Sequence, residues 1–341
     1  MKMTFNDIFI DNTKKGRKIL KENYHSRGKI SIIDQGKNQI SGFSDEKVGI
    51  YKEIPVIIFG DHTRIIKYVD YPFLLGADGV KILSVKTNKF ITKYLYYALL
   101  NYYIPDTGYN RHFKWLKNFT VNVNSINEQK RIVVTLDKII TMIDKKKKQI
   151  NLLEELVKSR FLEMFGDSIR NEKGWEVKKW KEVLKIINGK NQKKVENQSG
   201  KYDIFGSGGK MGNADDWLVK ENSVLIGRKG SINKPIIVKE KIWNVDTVFG
   251  LEPNIEIINC DYLYYFCYFY DFERLNKAVT IPSLTKKDLL KIDIPIPPLV
   301  LQEKFVLIHK SINKLKFEAE KSLKEMENLY ESLMQKFFKQ N

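Results

Sequence analysis

Residues 204–213 read IFGSGGKMGN, four glycines and a lysine within ten positions. Bare backbone beside a cation is what a phosphate-cradling loop needs, but a nucleotide-binding loop of the G-x-x-x-x-G-K-[ST] type also needs a hydroxyl to hold magnesium. Here the glycine spacing is too short, Met211 stands where the hydroxyl would be, and the segment runs into NADDW rather than into a helix. Two uses remain. The glycines make a structural turn, or they let the backbone approach a nucleic-acid phosphate to which Ser207 and Lys210 donate.

Other donor-rich clusters fit the second use. In GRKGS (227–231), Arg228 can fork two hydrogen bonds onto guanine O6 and N7, Lys229 suits a phosphate, and Ser231 stands beside them. Solvated surface charge is the plain alternative. GDHTR (60–64) supplies His62, Thr63 and Arg64, all able to donate to a base edge; a catalytic histidine would need a nucleophile or metal partner, and none is suggested. GYNRHFKW (108–115) offers Asn110, Arg111, His112 and Lys114, with Phe113 and Trp115 as packing anchors; asparagine suits adenine and arginine suits guanine. PSLTKK (282–287) offers Ser283, Thr285 and Lys286. The run Lys145–Lys148 is either a solvated helical face or a set of phosphate contacts that read no sequence.

The chain carries a net charge of +18 over 341 residues, and such a surplus points to a polyanion, nucleic acid before an anionic membrane. Its two cysteines, Cys260 and Cys267, lie in the aromatic run NCDYLYYFCYFY, without zinc-ligand spacing, and are expected to be core thiols of a cytosolic protein. No metal site is expected. No signal peptide is expected from MKMTFNDIFIDN, and apolar runs such as YLYYALL are about half the length of a membrane span, so a cytoplasmic protein with no membrane contact is expected. There is no Asn/Asp-Pro-Pro-Tyr/Phe methyltransferase motif, no Asp…Glu-x-Lys nuclease constellation and no H-E-x-x-H. The chain is expected to catalyse nothing.

These clusters are positioned by a sequence that is written twice. YLYYALLNYY at Tyr94 and YLYYFCYFYDF at Tyr262 are 168 residues apart. At that offset PVIIFGDHTRIIKYV falls on SVLIGRKGSINKPIIV with a one-residue slip, and Asp78 falls on Asp246. GKISIIDQGK (from Gly28) matches GKYDIFGSGG (from Gly200), KWLKNFTVNV (from Lys114) matches KDLLKIDIPI (from Lys287), and TFNDIF at Thr4 resembles KWKEVL at Lys179. The first copy lacks the GWEVKKW lead-in of the second, so its outer edge is expected to lean on contacts elsewhere. Short β-rich runs divided by Gly, Asn and Asp turns precede one aromatic helix in each copy.

Each copy closes on a long helical pattern, about 127–165 and 301–338, uninterrupted by proline. Ile132, Leu136, Ile139, Ile143, Ile150, Leu153, Val157 and Phe161 form the first stripe; Phe305, Ile308, Ile312, Leu315, Leu323, Met326 and Leu333 form the second. A stripe this narrow suits a coiled-coil seam, and the partner nearest to hand is the other copy. The predicted fold is therefore α+β: two pseudo-twofold-related mixed α/β domains joined by two long helices in an antiparallel coiled coil. Two ends held at a fixed distance would read two half-sites of duplex DNA, whose groove geometry repeats every ~34–36 Å.

On these residues the chain resembles the specificity (S) subunits of type I restriction–modification systems, over essentially its whole length. YDIFGSGGKMGNADDW, SVLIGRKGSINKPIIVKEKIWNVDTVFGL and IPSLTKKDLLKIDIPIPPLVLQEKF look like that family's recognition-domain segments. VIIFGDHTRIIKYVDYPFLLGADGVKIL, YNRHFKWLKNF and NEQKRI look like another variant of the same domain. The resemblance implies target recognition domains at 1–124 and 169–298 and conserved helical segments at 125–168 and 299–341. It also implies a non-catalytic subunit that binds double-stranded DNA at a bipartite asymmetric site, with two methyltransferase subunits docked on the helices and two restriction/translocase subunits added. This chain would bind no cofactor; S-adenosylmethionine, ATP and magnesium would sit on the partners. The rival readings are a stand-alone DNA-modifying or nucleotide-binding enzyme, and a coiled-coil adaptor with no sequence preference.

Overall fold

The structure, a computed structural model, describes residues 2–76, 79–167, 169–278 and 280–339. The chain divides into two units. The first takes the chain up to Lys146 and again from Ser322; the second is Lys147–Lys321.

The first copy of the fold runs β1 (Lys2–Thr4), α1 (Phe5–Ile8), β2 (Phe9–Asp11), β3 (Ile30–Ile33), β4 (Gly42–Ser44), β5 (Val56–Gly60), β6 (Ile66–Val69), β7 (Phe73–Leu75), β8 (Val80–Val85), α2 (Thr92–Leu100), α3 (Phe113–Leu116), β9 (Thr120–Asn122) and the long α4 (Ile126–Phe165). The second runs β10 (Glu176–Lys179), α5 (Trp180–Val183), β11 (Leu184–Asn188), β12 (Tyr202–Gly206), β13 (Gly209–Ala214), β14 (Ser223–Gly227), β15 (Ile236–Val238), β16 (Ile242–Asn244), β17 (Val248–Pro253), α6 (Cys260–Phe269), α7 (Lys286–Leu289), β18 (Asp293–Ile296) and the long α8 (Leu299–Phe338). Each element of one copy has its counterpart in the other.

The sheets repeat as well. The first unit pairs β1 with β9, orders one sheet β2-β8-β5-β6 and another β4-β3-β7; the second pairs β10 with β18 and orders its sheets β11-β17-β14-β15 and β13-β12-β16. β3 runs parallel to β7, as β12 does to β16, while the other pairings are antiparallel. β5 (VIIFG) and β14 (SVLIG) are buried at every position, as continuous apolar runs covered on both faces must be. The tyrosine-rich helices are core: Tyr94 and Tyr97 of α2 and Tyr262 and Tyr265 of α6 are buried. Cys260 and Cys267 are buried free thiols, and burial pushes Cys260 up to about 12. The N-terminal strand packs within its own unit. β1 pairs with β9, and the Phe5 N–H donates to the Phe119 carbonyl at 2.8 Å.

The long helices have 40 residues each, about 60 Å at 1.5 Å per residue. In the second unit Glu154 of α4 meets Lys316 of α8 at 2.5 Å, and Phe161 meets Phe305 at 5.5 Å between centroids. Progress toward the C-terminus of α4 is progress toward the N-terminus of α8, so the helices pack antiparallel there. In the first unit Ile132 and Leu136 of α4 share a core with Met334 and Phe338 of α8. One stripe residue departs from the expected seam: Leu315 is 53% exposed, and Ala319 is buried instead. Beyond Ile312 the inward face follows the i+4 and i+7 positions, Lys316 and Ala319, and Leu315 falls outside it.

A buried glutamine ties each α/β fold to the long helix that follows it. Gln129 accepts from the Ile91 N–H (2.9 Å) and donates to the carbonyls of Lys89 (2.8 Å) and Asn124 (2.9 Å). Gln302 accepts from the Asn259 N–H (2.7 Å) and donates to the carbonyls of Ile257 (3.2 Å) and Pro297 (2.8 Å). The partners are the repeat-equivalent residues throughout. A second tie differs between copies. Lys93 of α2 pairs with Asp137 of α4 at 2.8 Å, whereas the equivalent position of α6 is Asp261, which pairs with His309 of α8 at 3.0 Å and with Lys239 at 2.9 Å.

Candidate nucleic-acid interface

In the second unit the glycine-rich stretch is the β12–β13 hairpin, its turn at Ser207 and Gly208, where Gly206 faces Gly209 across the ladder. Gly209 has φ +122°, with open space about it, a conformation that favours glycine. The hairpin shares one groove with Gln192 and the Val245–Thr247 turn. Beside that turn lies the loop after β14, whose Arg228 N–H donates to the Thr247 carbonyl at 2.8 Å. The segment before α7 closes the cluster: the Leu284 N–H donates to the Arg228 carbonyl (2.9 Å), the Gly230 N–H to the Pro282 carbonyl (3.0 Å), and Lys229 bridges Ser283. Four segments far apart in the sequence thus meet at one end of the sheets.

Within this cluster Arg228 is exposed, its guanidinium over the Phe249 ring at 5.8 Å and 3.5 Å from the Asp246 carbonyl, with no ion pair among the described residues. Lys229 is exposed, and Ser207 and Ser231 are half-buried; no side-chain hydrogen bond or ion pair holds these three among the described residues. Lys210 pairs with Asp203 at 2.7 Å on the surface, a contact worth little when both groups are solvated. Two expected donors are committed elsewhere. Thr285 caps α7, accepting from the Asp288 N–H at 3.1 Å and donating to the Asp288 carboxylate at 2.9 Å. Lys286 donates to the Ile186 carbonyl at 2.7 Å. Ser283 is half-buried, its N–H bonded to the Asn276 side chain at 3.1 Å.

The first unit assembles the equivalent cluster with other residues. The Asp61 N–H donates to the Gly79 carbonyl at 2.6 Å, and the His112 and Phe113 N–H groups donate to the Asp61 main-chain and side-chain oxygens at 2.8 and 2.7 Å. The turn between β5 and β6 therefore holds the loop before α3, as the turn after β14 holds the segment before α7. Gln35, in the loop after β3, accepts from the His62 N–H (3.2 Å), and its carbonyl accepts from the Thr63 hydroxyl (2.7 Å). The His62 ring stacks on Tyr109 at 4.7 Å and 11°.

The other expected donors of the first unit differ in how far they are already engaged. His112 is buried, its Nδ1 3.0 Å from the Asp61 carbonyl and its Nε2 3.3 Å from the Thr107 hydroxyl, so it positions the loop and offers no surface to a base. Arg64 has φ +61° and is bound to Asp106 (2.6 Å) and the Ile104 carbonyl (3.3 Å). The Gly108 N–H and the Arg64 guanidinium hold the Asp106 carboxyl below its ordinary value. Asn110 is exposed, but its amide donates to the Thr107 carbonyl. Arg111 is exposed and makes no ion pair among the described residues; Lys114 is exposed with its ammonium 5.4 Å from the Trp115 ring. Asp78 lies outside the described residues. Sequence reasoning missed Gln35, Gln192, Asp246 and Tyr109 as members of the clusters, although Gln35, Asp246 and Tyr109 sit inside stretches the repeat and the donor pattern already single out.

Lys145, Lys147 and Lys148 are exposed on α4. Among the described residues no three His, Cys, Asp or Glu side chains gather to hold a metal ion, and no helix is long and apolar enough to cross a membrane. What the clusters offer is hydrogen-bond donors and cations on rigid strand ends, suited to base edges and phosphates.

Comparison with known proteins gives concordant matches. The model of the type I restriction modification DNA specificity domain matches twice, at residues 1–155 and 172–328. The type I restriction enzyme EcoR124I/EcoR124II specificity subunit of Escherichia coli is 30% identical over 131 residues, 36% of this chain. That match spans 32% of the relative's own length, about a third. The crystal structure of a type I restriction-modification S subunit from M. genitalium covers 100% of this chain and 96% of its own, at 19% identity and a TM-score of 0.69. A chain from a structure describing complex assembly and conformational transition of a type I R-M system covers 99% and 97%, at 17% identity and a TM-score of 0.58. At these identities the structural likeness is one of fold.

Proposed function

The chain belongs to the type I restriction modification DNA specificity family, and from that premise we propose that it selects a bipartite, asymmetric site in duplex DNA, one half-site per unit. The observation that carries this reading is the pair of loop clusters. They are built by equivalent strand ends and equivalent backbone contacts, yet they present different side chains, Arg228 and Lys229 in one and Arg111, Lys114 and Tyr109 in the other. Conserved scaffolds with divergent tips suit two readers of two different sequences. The net charge of +18 supplies the phosphate attraction.

The recognition domains are residues 1–124 and 169–298, and the helical segments 125–168 and 299–341 set the gap between half-sites. Those helices dock two methyltransferase subunits, to which two restriction/translocase subunits add, in the cytoplasm. This chain contributes no catalytic group and binds no cofactor. S-adenosylmethionine, ATP and magnesium belong to the partners. Methylome sequencing of a cell expressing the chain with its methyltransferase partner tests the reading. An interrupted two-part motif is expected; no motif, or a continuous one, overturns it. Methyl transfer by the purified chain alone would favour the enzyme reading.

A further inference from the structure

Tyr109 is the most exposed of the large apolar or aromatic side chains among the described residues, at 88%, and yet it is not loose. Its ring lies flat on the His62 imidazole, at 4.7 Å and 11°. His62 is fixed by its main-chain N–H bond to Gln35, and the loop is fixed by buried His112, which contacts the Asp61 carbonyl and the Thr107 hydroxyl, and by Gly108, which turns the chain at φ +75°. Tyr103, also exposed at 78%, has no such ring contact among the described residues. An aromatic face left in water but held in one orientation is a preorganised contact surface. It stands beside Asn110 and Arg111, at the tip of the cluster.

We propose that Tyr109 is a specificity-determining residue of the first unit, its ring packing on the C5-methyl group of a thymine in that unit's half-site. The proposal rests on the DNA-specificity reading above. The ring, not the hydroxyl, is what the loop orients, and the thymine methyl is the one apolar group that a base edge shows in the major groove.

The test is a double-mutant cycle on the complex with its methyltransferase partner, using the selected site with each thymine replaced in turn by uracil, which lacks only that methyl. The wild type should lose about fourfold in affinity at one thymine. Tyr109→Phe should keep that loss, and Tyr109→Ala should bind thymine and uracil there equally. Unchanged recognition of the other half-site, assigned through Arg228→Ala, shows that the variant complex is intact. The proposal is overturned if Tyr109→Ala retains the full thymine preference at every position. It is equally overturned if Tyr109→Phe weakens all sequences alike, the mark of a phosphate contact, or if the coupling falls in the half-site of the second unit. Should the wild type select no bipartite site, the underlying reading falls and the proposal with it. A failed cycle on a well-selected site leaves that reading standing.

Discussion

Gln302→Ala should loosen the second recognition fold from α8. The side chain is fully buried and makes three hydrogen bonds, all to main-chain groups. Truncation cannot remove those partners. It leaves the Asn259 N–H and the carbonyls of Ile257 and Pro297 facing a small cavity. An orphaned buried polar group costs ~1–3 kcal/mol, and water entering the cavity can satisfy part of the set. Counting one orphan in full and the others in part gives a loss of about 3–4 kcal/mol in the stability of that unit. Gln129→Ala should cost the first unit about the same, because its three bonds are equivalent. Amide hydrogen exchange reads both effects in one molecule. Gln302→Ala should speed exchange at the Asn259 amide and leave Ile91 unchanged, and Gln129→Ala should do the reverse. A loss below ~1 kcal/mol for either variant, or equal acceleration in both units, would refute the view of these glutamines as separate clamps.

Three further outcomes can be checked. Arg228→Ala should relax one position of one half-site at a cost of roughly 1–3 kcal/mol, measured by binding to a library of single-base variants; loss spread evenly over all positions would mean a phosphate contact instead. Arg111→Ala should weaken DNA binding, whereas Arg64→Ala should act mainly by releasing Asp106 and the loop, so its defect should appear as lower loop protection in hydrogen exchange. Asp261 gives a pH effect. Burial raises its carboxyl, but the hydrogen bonds from His309 and Lys239 outweigh that and hold it below its ordinary value of 3.8. A depressed carboxylate stabilises above its unfolded value, and the stability is lost as pH falls through the folded one. The wild type should therefore lose stability below about pH 4 more steeply than Asp261→Asn, measured by urea unfolding across that range.

The repeat and the periodicity were enough to lay out this chain. The offset between the two tyrosine-rich runs located paired strands, paired helices and paired loops, because duplicated folds keep the same residue types where the same surfaces are buried. The helical stripes found both long helices to within two residues at each end, since a 40-residue run without proline and with one apolar face has few other ways to bury it. The donor clusters were legible because glycine, arginine, lysine and serine or threonine gather in short turns between apolar runs.

What the sequence could not rank was which donors remain free. His112, Arg64, Thr285 and Lys286 are donor types in the expected loops, and each is bound by a group brought to it from elsewhere in the chain or by its own helix end. Leu315 matched the stripe by spacing and lies outside, because helix twist carries the seam to Lys316 and Ala319. That Lys93 meets Asp137 while Asp261 meets His309 is likewise invisible until the helices are packed. Periodicity is a property of one segment and can be read along it. Whether a polar group faces solvent depends on which distant segment supplies its partner, and only the tertiary structure decides that.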